Sequence, residues 1–216
     1  MKKSVKLTLS LIELSVMALL IAFDVFLPSV IIAVVGVGFL LIRKEKTDIF
    51  NKSVWEKPGR FILCAAGLGC ALTVFDYALV IPAINHLTHT TQDMSMYSSL
   101  KGNAGLMLIY LAYSWILAAI VEETAYRGFF QNRIISLFSN KALGTVIAVG
   151  TTSLLFGFMH SEQGVVGMVT TAFDAIVLSV VRYRYKSIWA SVLVHGFSNM
   201  IGIVTFYFTG PIYGLW

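Results

Sequence analysis

The chain is 216 residues long, 57% hydrophobic and only 12% charged, about half the charged share of an ordinary soluble domain. That composition excludes a water-soluble globular fold. Its net charge of +5 does not point to nucleic acid either, because the basic residues fall where they mark membrane topology.

Apolar runs of about twenty residues, enough at ~1.5 Å per residue to cross a hydrocarbon core of roughly 30 Å, recur along most of the chain. Seven spans are predicted: Leu7 to Phe26, Leu27 to Ile42, Phe61 to Ile84, Ala104 to Val121, Ala142 to Met159, Gly164 to Val181 and Ile188 to Phe208. The fold class is therefore all-α, a polytopic membrane helical bundle of about seven transmembrane helices whose last four form a catalytic core. Residues 1–103 supply about three spans and their loops, 104–208 the core, and 209–216 a short tail.

The start, Met1-Lys2-Lys3 before an apolar run, imitates a secretory signal. Glu13 and Asp24 interrupt that run, no small-x-small cleavage site follows, and Pro28 leads directly into the second span, so an uncleaved first span is expected. With the N-terminus in the cytoplasm, the inner loops hold Lys2, Lys3 and Lys6; Arg43, Lys44, Lys46, Lys52, Lys57 and Arg60; Arg127, Arg133 and Lys141; and Arg182, Arg184 and Lys186. Only Lys101 of the sixteen basic residues falls outside, which is the positive-inside asymmetry.

The stretch Arg43 to Arg60 reads as a solvated connector touching anionic headgroups. His86 and His89 have metal-like spacing on a helix but no third ligand, and read as surface histidines. Cys64 and Cys70, six apart and outside any CxxC spacing, read as small core residues.

Ionisable groups inside a membrane are costly unless paired or wet, so each is a functional candidate. Glu13, Asp24 and Asp76 stand alone in their segments and read as structural or interfacial. The fourth span is different, for it ends in Glu122-Glu123-Thr124-Ala125-Tyr126-Arg127-Gly128. Glu123 and Arg127, four apart, share a helix face and can neutralise each other, while Glu122 points elsewhere and stays free.

The fifth span closes with Phe156-Gly157-Phe158-Met159-His160 and the seventh holds His195-Gly196-Phe197-Ser198-Asn199. Two histidines, an asparagine and a spare glutamate on three helices fit a converging polar site that can hydrolyse an amide. Glu122 and His160 would activate water, and His195 and Asn199 would donate hydrogen bonds to the oxyanion. A metal reading stays open, with Glu122, His160 and His195 holding zinc, although the HExxH spacing is absent.

The motifs EExxxR at Glu122 to Arg127, FxxxH at Phe156 to His160 and HxxxN at His195 to Asn199, in this order over Ala104 to Met200, resemble the CPBP intramembrane protease family. This group, also called Abi, includes the type II CAAX prenyl endopeptidases and bacterial proteins linked to bacteriocin self-immunity. The resemblance implies Glu122 and His160 as the water-activating pair, His195 and Asn199 as oxyanion stabilisers, and Glu123 with Arg127 as a supporting pair. It implies a bacterial plasma membrane protein that meets membrane lipid and cleaves a membrane-associated peptide or protein.

Two features strain this picture. Phe173-Asp174-Ala175 stands where glycine-rich packing is expected, and Asp174 predicts looser packing there. The simple spans also put Glu122 near the inner face and His160 near the outer one. The expected remedy is a fourth helix that continues past Gly128, kinked at that glycine, with Arg127 and Arg133 facing the cavity. Two other function classes compete: a non-proteolytic immunity or scaffold protein of the same fold, and a small proton-coupled transporter, against which the lack of matching halves argues.

Overall fold

The structure is a computed structural model that describes residues 3–23, 27–42, 51 and 53–216. Asp24 and the basic residues Lys2, Arg43, Lys44, Lys46 and Lys52 lie outside the described residues, as do the side chains of Lys3 and Lys6. With them the first two residues of the signal-like start and half of the Arg43 to Arg60 connector also fall outside.

The described residues form an all-α bundle without a strand. Its helices are α1 (Lys3–Ala22), α2 (Pro28–Ile42), α3 (Pro58–Thr88), α4 (Ala104–Leu137), α5 (Lys141–Phe158), α6 (Gly164–Tyr185) and α7 (Ile188–Thr209). Five of them, α3 to α7, are long and apolar enough to cross a membrane; α1 and α2 are apolar but shorter. Of the seven spans expected, five correspond to helices of spanning length among the described residues.

Local chemistry sets the ends. Pro58 opens α3, where its missing N–H costs nothing. Asn103, Asn140 and Ser187 cap α4, α5 and α7 by accepting backbone N–H bonds. Lys186 ends α6 in the left-handed region at φ 52°.

Small residues let the helices approach closely. A Cβ on Gly157 of α5 would meet the Met168 carbonyl and Ala172 of α6, and one on Gly69 of α3 would lie 2.9 Å from the Val194 carbonyl of α7. Gly36 of α2 abuts Phe129, and Gly196 of α7 abuts the Trp115 indole. The α5–α6 contact is therefore tight, against the looser packing that Asp174 suggested, because Asp174 turns to the cavity described below and leaves the seam to Gly157.

The bundle keeps an apolar core but carries an apolar outside as well, with several charged groups buried within. Leu63, Leu108, Val146 and Leu154 are more than three-fifths exposed on its outside, whereas Glu123, Arg127, Gln131 and Arg182 are at most 1% exposed within. Such a surface suits lipid, and the chain is an integral membrane protein. Cys64 and Cys70 are exposed on α3 and are not core residues; a thiol on a face surrounded by hydrocarbon gains nothing from burial.

One end of the bundle gathers Asn51, whose amide donates to the Lys186 carbonyl, with the starts of α3, α5 and α7. The other gathers the 89–103 segment, the α5–α6 turn and the C-terminal tail, tied by Asp93 N–H to the Gln163 carbonyl and Gly102 N–H to the Tyr207 carbonyl. Lys57, Arg60, Lys141, Arg184 and Lys186 belong to the first end and Lys101 to the second. Three residues read as loop markers are not loop residues: Arg127, Arg133 and Arg182 are buried in α4 and α6. Each of these three finds polar partners inside the bundle, and removing them from the inner-loop set of fifteen leaves twelve.

Candidate active site

The depth conflict is resolved by α4. At 34 residues it runs through Gly128 without a break, which places Glu122 near its middle. Between Ser114 and Phe130 the helix is wound with π-type i to i+5 bonds. This wider winding is rare, usually a single turn, and frequent at functional sites. Gly128 is buried in continuous helix.

Glu122, His160, His195 and Asn199 all line one cavity of about 420 Å³ enclosed by α2, α3, α4, α6, α7 and the 89–103 segment. Arg127 and Arg133 do not line it, contrary to expectation. Arg127 lies behind Phe156, its guanidinium 4.7 Å from the ring centroid, and Arg133 is 3% exposed and paired with Glu13 at 2.6 Å. Glu13, read as standing alone, therefore ties α1 to α4.

The adjacent glutamates have opposite environments. Glu123 is fully buried, and its Oε1 lies 3.1 Å from Arg127 Nη1 and accepts a 3.0 Å hydrogen bond from His195 Nδ1. Glu122 is half-buried and forms no hydrogen bond or ion pair with any described residue. One carboxylate is committed to structure; the other faces the cavity unspent.

The histidines have defined orientations as well. His160 Nδ1 donates to the Phe156 carbonyl at 2.8 Å, since a carbonyl can only accept, and this leaves Nε2 as the free nitrogen. His195 likewise spends Nδ1–H on Glu123. Phe156 sits among these groups, 4.8 Å from the His160 ring, 6.4 Å from that of His195 and edge-on to Tyr126 at 5.1 Å. Its ring spaces the two imidazoles while its carbonyl orients one of them.

Behind the site, Gln131 joins three helices. Its amide donates to Thr152 of α5 at 3.0 Å and Ser179 of α6 at 2.8 Å, and its carbonyl accepts from Arg182 and Tyr183. Arg182 also donates to the Arg127 carbonyl and, at 3.0 Å, to Asn132. Neither Gln131 nor Arg182 was expected from sequence. The signal that could have found Gln131 is a large amide within an apolar helical run, which must find partners.

Among the described residues no three histidine, cysteine, aspartate or glutamate side chains stand together closely enough to hold a metal ion. The zinc set Glu122, His160 and His195 shares the cavity wall but does not converge to ligand geometry. His86 and His89 are exposed, and His86 stacks on Trp216. Tyr97, on the cavity wall contributed by the 89–103 segment, has its phenol pushed up to about 12 by burial and then by neighbouring tyrosines, so it enters as a neutral hydroxyl.

Comparison with known proteins agrees with the motif reading. A curated relative, the UPF0177 protein YvdC of Lactococcus lactis subsp. lactis (strain IL1403), is 25% identical over 187 residues, covering 85% of this chain. The chain spans 64% of that relative's length. No solved structure matches. The family model that matches is described as Type II CAAX prenyl endopeptidase Rce1-like and covers residues 104–201, so the part of the chain that carries all three motifs is a match to the Rce1-like family.

Proposed function

We propose that the chain is an intramembrane endopeptidase that hydrolyses a peptide bond in a membrane-associated peptide or protein. The observation that carries this reading is the juxtaposition of an unpartnered Glu122 with His160, His195 and Asn199 on one cavity inside an apolar bundle.

In the proposed reaction Glu122 takes a proton from a water that His160 Nε2 helps to orient, and the hydroxide adds to the scissile carbonyl carbon. The negative oxygen receives hydrogen bonds from the Asn199 amide and from His195. With Nδ1–H already given to Glu123, His195 can donate through Nε2 only as an imidazolium, which then shares the Glu123 carboxylate with Arg127. The C–N bond then breaks, and Glu122 returns its proton to the leaving amine. A low-dielectric wall strengthens each of these interactions.

A substrate such as a bacteriocin precursor fits this membrane-bound site. The bacterial plasma membrane, with the N-terminus in the cytoplasm, fits the charge asymmetry between the two ends and the Lactococcus relative. For topology, cysteines placed at Lys57 and Lys101 in a chain lacking Cys64 and Cys70 should label differently, only the second from outside intact cells; equal labelling rejects the orientation.

The chemistry is tested with purified protein in lipid nanodiscs, a library of membrane-associated peptides and mass-spectrometric detection. Cleavage by wild type that disappears in Glu122→Gln supports the proposal. Absence of cleavage, or cleavage by Glu122→Gln at the wild-type rate, rejects it and favours the immunity or scaffold reading. Activity that persists in metal-free protein with chelator supports water activation without zinc. Stoichiometric zinc lost together with activity in His195→Ala overturns it.

A further inference from the structure

The same cavity holds two carboxyls that the proposed chemistry does not use. Asp76 opens a second π-wound stretch, Asp76–Val80 within α3, and Asp174 lies on α6. Phe75 and Phe173, their neighbours in sequence, stack at 5.8 Å with planes 26° apart and fix the two helices side by side. The carboxyls of Asp76 and Asp174 come within hydrogen-bonding reach of each other.

Among the described residues none donates a hydrogen bond to the Oδ1 of either one. Asp76 is 6% exposed and lines the cavity. Asp76 Oδ1 and Asp174 Oδ1 are buried without a hydrogen-bond partner. The nearby threonine hydroxyls are already committed: Thr73 to the Gly69 carbonyl and Ser198, Thr170 to the Val166 carbonyl, Thr171 to the Gly167 carbonyl. Among the described residues lining the cavity there is no lysine or arginine, while Glu122 and Glu162 add two more carboxyls. The nearest buried guanidinium, Arg127, is held by Glu123.

Two adjacent carboxylates in a low-dielectric cavity cannot both stay ionised without a cation or a shared proton between them. A divalent metal ion is a poor occupant, since it takes six or more oxygens and no third acidic or histidine side chain completes a set here. An ammonium or guanidinium group supplies both the charge and the missing donors. The aromatic wall beside the pair, Tyr77 and Tyr97 packed on Phe206, suits the alkyl stem of such a side chain.

We infer that Asp76 and Asp174 form a subsite for a lysine or arginine side chain of the peptide substrate. The inference rests on the protease reading for the identity of that substrate, and it makes the cavity selective for cationic peptides. In the absence of peptide the pair shares a proton, which the incoming basic side chain displaces to solvent.

The test uses the full chain in nanodiscs and quenched peptides in which one lysine is replaced by norleucine, scanned across positions flanking the scissile bond. At one position wild type should favour lysine by roughly tenfold in kcat/KM, the size of one charged hydrogen bond, expressed mainly in KM. That ratio should fall towards one in Asp76→Asn and in Asp174→Asn. A wild type without preference at any position overturns the subsite, as does a preference that survives in both variants.

A second arm needs no cleavage: fluorescent lysine and norleucine peptides are titrated onto Glu122→Gln, which keeps both aspartates. Tighter binding of the lysine peptide supports the subsite even if wild type cuts no peptide, a result that counts against the protease reading alone. Equal binding overturns the subsite even if cleavage is robust.

Discussion

Along α4, residues 104–121 are mostly exposed or half-buried, and only Ser114 and Ala119 are buried. From Glu123 to Ile134 every residue except Thr124 and Asn132 is buried, and the polar ones carry partners from α1, α5, α6 and α7. One half of the helix is a surface for lipid and for the cavity; the other is a polar keystone. Glu122 stands at the boundary between them. A buried half whose charged groups are paired thus presents the single carboxylate of this helix that has nothing else to do.

The sharpest way to break that comparison is to neutralise the two neighbouring glutamates separately. Glu122→Gln should reduce cleavage by roughly 10²- to 10⁴-fold, the range for a lost acid–base group, with unchanged accumulation in the membrane. Glu123→Gln should instead destabilise by ~3–5 kcal/mol, because it leaves Arg127 buried without its counter-charge. Rate measurements on protein quantified by immunoblot, together with thermal unfolding in detergent, separate the two. Identical phenotypes for both variants would contradict the division of labour at Glu122.

On α7, Asn199→Ala should lower kcat by roughly 100- to 1000-fold, the loss expected for one oxyanion donor, with little change in KM. Asn199→Asp should do at least as much damage, since a carboxylate repels the oxyanion. A change confined to KM would make Asn199 a substrate-binding residue and remove it from the proposed chemistry.

What could be read beforehand follows from distance along the chain. The partners in EExxxR, FxxxH and HxxxN are four apart, so helical periodicity brings each set onto one face before any tertiary structure is known. Gln131 and Arg182 meet across 51 residues, and Asp76 meets Asp174 across two separate helices; no local period encodes either contact. Arg182 misled because a basic cluster at a helix end has the look of a topology marker. Cys64 and Cys70 misled because small apolar residues are usually buried in water-soluble folds, whereas a bundle in lipid has no reason to hide them. The π-wound stretch of α4 left no mark in composition at all. Glu13 and Asp76 were recognisable as expensive groups, but their partners Arg133 and Asp174 only came with the packing.

The smallest effects probe the two halves of α4 directly. Gln131→Leu keeps the side chain's bulk but removes an amide that donates to Thr152 and Ser179 and accepts from Arg182 and Tyr183, so those groups lose partners in an interior where water does not replace them. It should cost about 1–3 kcal/mol in detergent unfolding and should lower activity only through the population that is folded, leaving the KM of surviving enzyme unchanged. Leu108→Ala, in the outward half, removes a larger apolar group from a position that is 62% exposed. In water such a truncation of a buried leucine would be costly, but between lipid and an exposed leucine there is no hydrophobic gain to lose, and the expected change is within about 0.5 kcal/mol. If Leu108→Ala proved as destabilising as Gln131→Leu, the outward half of α4 would have to be a packed surface, and the keystone would extend past Glu122 in both directions.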